Sequence, residues 1–198
     1  MITLSAVLLA GGESRRMGRD KATIEFDGRP LWERQLEILR ALGPEMMFVS
    51  ARATPSWLPV DAELLLDDPP SRGPLSGLTK ALAAMRTTHL VALAVDMPFM
   101  ASEQLRKLCS RAQPGLGVVP MIRGQAEPLA AIYPAEAAVD FAAALAGTDF
   151  SLQRIIQKLA AVEKVRLFTV SPKDEHLFRS LNQPGDIKKG RFPNRPPR

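Results

Sequence analysis

Short apolar runs alternate along this chain with stretches in which apolar residues recur every three or four positions. That alternation predicts βα repeats and a mostly parallel sheet. Strands are expected at Ser5–Ala10, Met46–Ser50, Glu63–Leu66 and His89–Val95. Between them, a helix starts at Pro30, carries Leu31, Leu36, Leu39 and Leu42 on one face, and stops at Gly43-Pro44. A second helix spans roughly Leu75–Met85, after a loop from Pro69 to Pro74, and a third Ser102–Ala112. The second half is less regular. Leu116–Pro120 and Pro128–Tyr133 predict strands, with an antiparallel member at the far side of the sheet. Helices are expected at Ala135–Ala146 and Ser151–Ala161, followed by a last strand at Val165–Val170. There is no internal repeat and no linker that would divide the chain.

In an open α/β sheet, ligands bind beyond the carboxyl ends of the strands. Here that rule selects the loops after Ala10, Ser50, Leu66 and Val95, and all but the Ser50 exit carry charged or glycine-rich chemistry. The first exit is the most informative. The strand breaks into Gly11-Gly12 and a loop holding Arg15, Arg16, Arg19 and Lys21. Paired glycines let backbone N–H groups approach phosphate oxygens, and the cations offset polyphosphate charge, arginine by forked hydrogen bonds and lysine as a point charge. Two familiar phosphate loops are excluded by spacing. The residue five after Gly12 is Met17, and Gly18 is followed by Arg19, so no Walker loop is present. Gly11-Gly12-Glu13 does not provide a dinucleotide fingerprint either.

The run Leu9-Ala10-Gly11-Gly12-Glu13-Ser14-Arg15-Arg16-Met17-Gly18-Arg19-Asp20-Lys21 resembles the signature Leu-Ala-Gly-Gly-x-Ser-x-Arg-Met-Gly-x-Asp-Lys of the molybdenum cofactor guanylyltransferases. Cytidylyltransferases of the same superfamily usually carry Ala-Ala-Gly at this point, so the resemblance favours a guanine nucleotide. It implies a three-layer α/β/α Rossmann-like nucleotidyltransferase fold with a mostly parallel mixed sheet. Residues 1–189 would form one nucleotidyltransferase domain, and 190–198 a basic, Pro-rich and disordered tail.

Composition narrows the class. The chain has 198 residues, 46% hydrophobic and 24% charged, enough for a buried core. No apolar stretch reaches the ~18 residues of a membrane span, and a cytoplasmic location is expected. Cys109 is the single cysteine, which excludes an intrachain disulfide. The net charge of +5 suggests nucleic acid until it is located: Lys188, Lys189, Arg191, Arg195 and Arg198 account for all of it. No aromatic-rich strand or recognition helix accompanies them, so nucleic-acid binding is not expected. His89 and His176 lack ligand-like spacing and are expected to be structural or surface residues.

Nucleotidyl transfer calls for a divalent cation, and Mg2+ takes one or two carboxylates with phosphate oxygens and waters. Asp96 ends an apolar strand in Val-Asp-Met-Pro, and by resemblance it matches the family's magnesium-binding aspartate. Asp68 is aligned with the family's nucleotide-contacting aspartate, ahead of Asp67. Gly73-Pro74-Leu75-Ser76-Gly77 resembles the family's Gly-Pro-Leu-x-Gly stretch, and Ser50 stands where the family often has asparagine. The resemblance thus implies Arg16, Lys21 and Asp96 as catalytic residues. It assigns Leu9, Ala10, Gly11, Gly12, Lys21, Ser50, Asp68 and Asp96 to the nucleotide and Asp96 to the metal. Gln125, Pro128 and Asn182 fall where the family shows acceptor-side segments. The implied reaction moves GMP from GTP to molybdopterin and releases pyrophosphate, with Mg2+ as cofactor and other cofactor-biosynthesis or acceptor proteins as further partners. The alternatives are a CTP-dependent or sugar-phosphate nucleotidyltransferase, and a non-catalytic nucleotide-binding protein.

Overall fold

A computed structural model describes residues 1–11 and 20–181 of the chain. The two most apolar strands lie next to each other in the middle of the sheet. They are β1 (Leu4–Leu9) and β6 (His89–Ala94), which run parallel from Leu4↔His89 to Leu9↔Ala94. Their side chains alternate between two cores, as the two-residue period of a strand requires. Ala6, Leu8, Val91 and Leu93 share one core with Leu31, Leu36 and Leu39 of α1 (Leu31–Arg40) and Leu105 and Leu108 of α3 (Ser102–Cys109). Val7, Leu9, Leu90 and Ala92 face the other way. They pack on α2 (Pro74–Ala84), α4 (Ala138–Ala146) and α5 (Leu152–Ala161) through Leu75, Leu78, Phe141, Ile156 and Leu159. Helices therefore cover both faces, and the architecture is the expected α/β/α arrangement.

Outward from β1, β4 (Met46–Ala51) and then β5 (Glu63–Leu66) add in parallel. On the other side, the order beyond β6 is β9 (Ala130–Pro134), β7 (Gly117–Ile122) and β10 (Val165–Thr169). The antiparallel strand is β9, and it lies inside the sheet between β6 and β7 rather than at its far side. The local cause is a tight hairpin. β8 (Gln125–Ala126) folds back on the end of β7 over Arg123 (φ 50°) and Gly124 (φ 80°), and the reversed chain then fills the gap beside β6. The far edge is β10, which pairs in parallel with β7.

Three further differences are local. The stretch 135–146 opens as a 3-10 turn, Ala135–Ala137, before α4 begins. The helix at 102 ends at Cys109 rather than Ala112. A small hairpin of β2 (Glu25–Phe26) and β3 (Arg29–Pro30) precedes α1, turning on Asp27 and Gly28, both with positive φ. Cys109 is half-buried, and burial pushes its thiol up to about 11, so at neutral pH it is an inert packing residue. No helix among the described residues is long and apolar enough to cross a membrane.

Candidate active site

The carboxyl ends of β1, β4, β5 and β6 converge on a cavity of about 100 Å3. Two polar groups define its floor. Lys21 opens a 3-10 turn (Lys21–Thr23), and its Nζ donates to Asp96 Oδ2 at 2.7 Å. The two side chains are 18% and 19% exposed, so the pair lies partly shielded from water, where electrostatic interactions are stronger than at the surface. The segment around Asp96 is pinned from three directions. Leu181 N–H donates to the Asp96 carbonyl at 2.8 Å, Gln35 Nε2 to the Met97 carbonyl at 2.6 Å, and Arg34 Nε to the Pro98 carbonyl at 2.8 Å.

The other end of the cavity is built around Asp67. Its Oδ2 accepts from Ser71 Oγ at 2.7 Å, and its Oδ1 is 3.4 Å from the Ser50 hydroxyl. Gly11 lies directly over it; a Cβ there would sit 3.3 Å from Asp67 Oδ2. Leu9, Ala10, Gly11 and Ser50, all assigned to the nucleotide from sequence, line this space together with Lys21 and Asp96. Asp68 does not. Its side chain is 85% exposed and pairs with Lys80 of α2 at 2.8 Å. Strand parity carries the signal that separates the two aspartates. Asp67 follows Leu65 by two residues, and Leu65 packs in the same core as Leu9. Ser50 is buried against Gly77, where a Cβ would come within 2.2 Å of the Ser50 hydroxyl, so any larger residue there must displace it.

A second, larger cavity of about 550 Å3 opens beside the β7–β8 hairpin. Gln125 lines it together with Arg123, Glu127, Glu175, His176 and Arg179, and Arg123 Nε holds Glu175 at 2.8 Å. Pro128 is buried beneath, with its carbonyl accepting from the Tyr133 hydroxyl at 2.7 Å, so it shapes the turn rather than facing the opening. Glu127, not singled out from sequence, links the two cavities electrostatically. Burial, reinforced by the negative charge of Asp96, pushes its carboxyl up to about 7, against the Leu129 N–H that donates to it at 3.3 Å. His176 lines this cavity, whereas His89 is fully buried with Nε2 3.0 Å from the Gln113 carbonyl, a structural role. Gly12, Arg16 and Asn182 lie outside the described residues.

Among the described residues, no group of three or more His, Cys, Asp or Glu side chains is arranged to hold a metal ion. One carboxylate at a strand end, open to a cavity beside a lysine, suits a hard cation whose remaining ligands are phosphate oxygens and water. It does not suit a resident metal caged by protein.

The arrangement has clear relatives. A family model described as the MobA-like NTP transferase domain matches residues 6–165. A probable molybdenum cofactor guanylyltransferase of Opitutus terrae is 34% identical over 186 residues, covering 92% of each chain. A molybdenum cofactor guanylyltransferase of Cereibacter sphaeroides is 32% identical over 193 residues, covering 93% of each. Among solved structures, molybdopterin-guanine dinucleotide biosynthesis protein A of Archaeoglobus fulgidus superposes with a TM-score of 0.73 at 25% identity, covering 94% of this chain and 96% of that one. The matched span contains the sheet's central strands and the Lys21, Asp67 and Asp96 cluster at their ends, and this chain therefore belongs to the MobA-like NTP transferase family.

Proposed function

We propose that this chain transfers GMP from GTP to the terminal phosphate of molybdopterin, forming the guanine dinucleotide cofactor and releasing pyrophosphate. The observation that carries the reading is the Lys21–Asp96 pair, 2.7 Å apart in the crevice at the strand ends of a nucleotidyltransferase fold. An acceptor phosphate oxygen forms the new bond to the α-phosphorus of GTP as the bond from that phosphorus to the bridging oxygen of the leaving pyrophosphate breaks. The acceptor phosphate is already anionic at neutral pH, so the protein needs no strong base. It needs alignment and charge stabilisation.

Each residue then has a defined task. Asp67, braced by Ser71 and Ser50, presents two acceptor oxygens to the N1–H and 2-amino donors of guanine, a pattern that cytosine lacks. Gly11 lets the nucleotide lie close to the backbone. Lys21 offsets the negative charge that gathers on the departing pyrophosphate, a role shared with Arg16. Mg2+, held by Asp96 and by phosphate oxygens, would supply polarisation of the phosphoryl group. The cavity bearing Arg123, Gln125 and Arg179 takes the acceptor, the substrate to which the resemblance also assigns Asn182; its arginines suit an anionic, phosphorylated molecule. Such chemistry belongs to the cytoplasm, alongside other steps of cofactor assembly.

Calorimetric titration with GTP, CTP, ATP and UTP in the presence of Mg2+, followed by pyrophosphate release on addition of molybdopterin, tests the proposal. GTP should bind at least tenfold more tightly than CTP, and release should depend on molybdopterin. Equal affinity for CTP, or no release with the acceptor present, rejects it.

A further inference from the structure

Trp57 lies on the connection between β4 and β5, outside the nucleotide crevice described above. The chain contains two tryptophans, and they stack, with ring centroids 5.3 Å apart and planes inclined by 12°. Trp32 comes from the first turn of α1, between the fully buried Leu31 and the helix body, so the stack ties the connection to a fixed element. The Trp57 indole also makes a hydrogen bond. Its Nε1 donates to Asp20 Oδ2 at 3.2 Å.

Asp20 is fully engaged. Its second oxygen, Oδ1, accepts from the Ala22 N–H at 2.9 Å and caps the 3-10 turn at Lys21–Thr23. Its carbonyl accepts from Thr23 Oγ1 at 2.9 Å and from the Thr23 N–H at 3.2 Å. A three-residue 3-10 turn has little stability of its own, so its orientation depends on what grips its first residue. The residue after Asp20 is Lys21, whose Nζ sits on Asp96. Gly11, Asp20 and Trp57 also line one cavity of about 300 Å3.

We propose that Trp57 is a positioning residue for nucleotidyl transfer: braced by Trp32, it holds Asp20 and so fixes the turn that aims Lys21 at the triphosphate. This inference rests on the reading of Lys21 given under the proposed function. A lysine ammonium stands at the end of four methylenes, and its usefulness to a developing charge depends on how narrowly its backbone is placed. Losing the indole donor leaves the lysine in the chain and the fold in place, but lets the turn sample more orientations.

The test is a double-mutant cycle on the full chain, reading kcat for pyrophosphate release and the GTP dissociation constant with Mg2+. Trp57→Phe keeps an aromatic ring on Trp32 and removes the indole donor. It should lower kcat about fivefold, the scale of one ordinary intramolecular hydrogen bond, and leave the melting temperature within about 4 °C. In a Lys21→Ala background the same change should cost nothing further, because Trp57 acts through Lys21. Asp20→Asn, which breaks the same link from its other end, should reproduce the Trp57→Phe loss and guards against a folding defect in one variant. Wild-type turnover in Trp57→Phe, or an equal loss in both backgrounds, overturns the positioning role. Wild-type turnover in Lys21→Ala instead overturns the assignment of Lys21 itself, so the two failures are distinguishable.

Discussion

Glu127 offers a quantitative check on the geometry between the two cavities. Burial and the nearby Asp96 raise its carboxyl from the ordinary 4.5 to about 7. The folded chain therefore holds this proton over a pH range in which the unfolded chain has released it. Stability falls with rising pH wherever the native state binds more protons, so the contribution is complete below pH 4.5 and is lost as pH climbs through about 7. A tenfold difference in proton affinity is worth about 1.4 kcal/mol, so the full loss is about 3 kcal/mol. Glu127→Gln keeps the shape and cannot ionise. Urea unfolding of the two proteins should give similar stabilities near pH 4.5 and a difference of about 3 kcal/mol in favour of the glutamine variant at pH 8. Comparing the two proteins at each pH cancels groups common to both, including His89, whose pKa is lowered by burial and whose effect on stability has the opposite sign. Parallel curves from pH 4.5 to 8 would refute the placement of Glu127 in a desolvated position facing a negative charge.

Other consequences follow from named contacts. Asp67→Asn should weaken GTP binding roughly tenfold to a hundredfold, the range for hydrogen bonds to a charged group, whereas Asp68→Asn should change it less than twofold, both read by calorimetry. Gly77→Ala drives a methyl into the Ser50 hydroxyl and should cost about 1–3 kcal/mol in unfolding free energy, part of which Ser50→Ala restores.

Much of this structure is legible in the sequence, and the boundary between what is and what is not has physical causes. The strands β1 and β6 announce themselves because burial on both faces demands unbroken apolar runs. The helices α1 and α5 follow from apolar residues at helical spacing. Strand order is different: nothing local to Pro128–Tyr133 says that it inserts between two strands already paired in direction, because that depends on the hairpin over Arg123-Gly124 and on which gap remains open. The β2–β3 hairpin was readable in Asp27-Gly28, a dipeptide suited to positive φ at both turn positions, but its strands are too short to show alternation.

At the site, Lys21, Ser50 and Asp96 could be located from motif and strand ends, and the fold does bring them to one cavity. Choosing between Asp67 and Asp68 needs the parity of β5 carried one residue past its end, and resemblance alone favoured the solvent-facing member. Glu127 and Trp57 gave no sequence signal. A glutamate in a polar loop and a tryptophan in a long connection become informative only when the chain places them against Asp96 and Asp20.

The central claim is that Asp96, paired with Lys21 at the end of β6, is the carboxylate on which phosphoryl transfer depends. Its most direct test is kcat for pyrophosphate release by Asp96→Ala with saturating GTP, Mg2+ and molybdopterin. The expected result is a fall of at least about a hundredfold, the scale of a lost transition-state contact, with the fold intact by melting temperature. Turnover within twofold of wild type would contradict it.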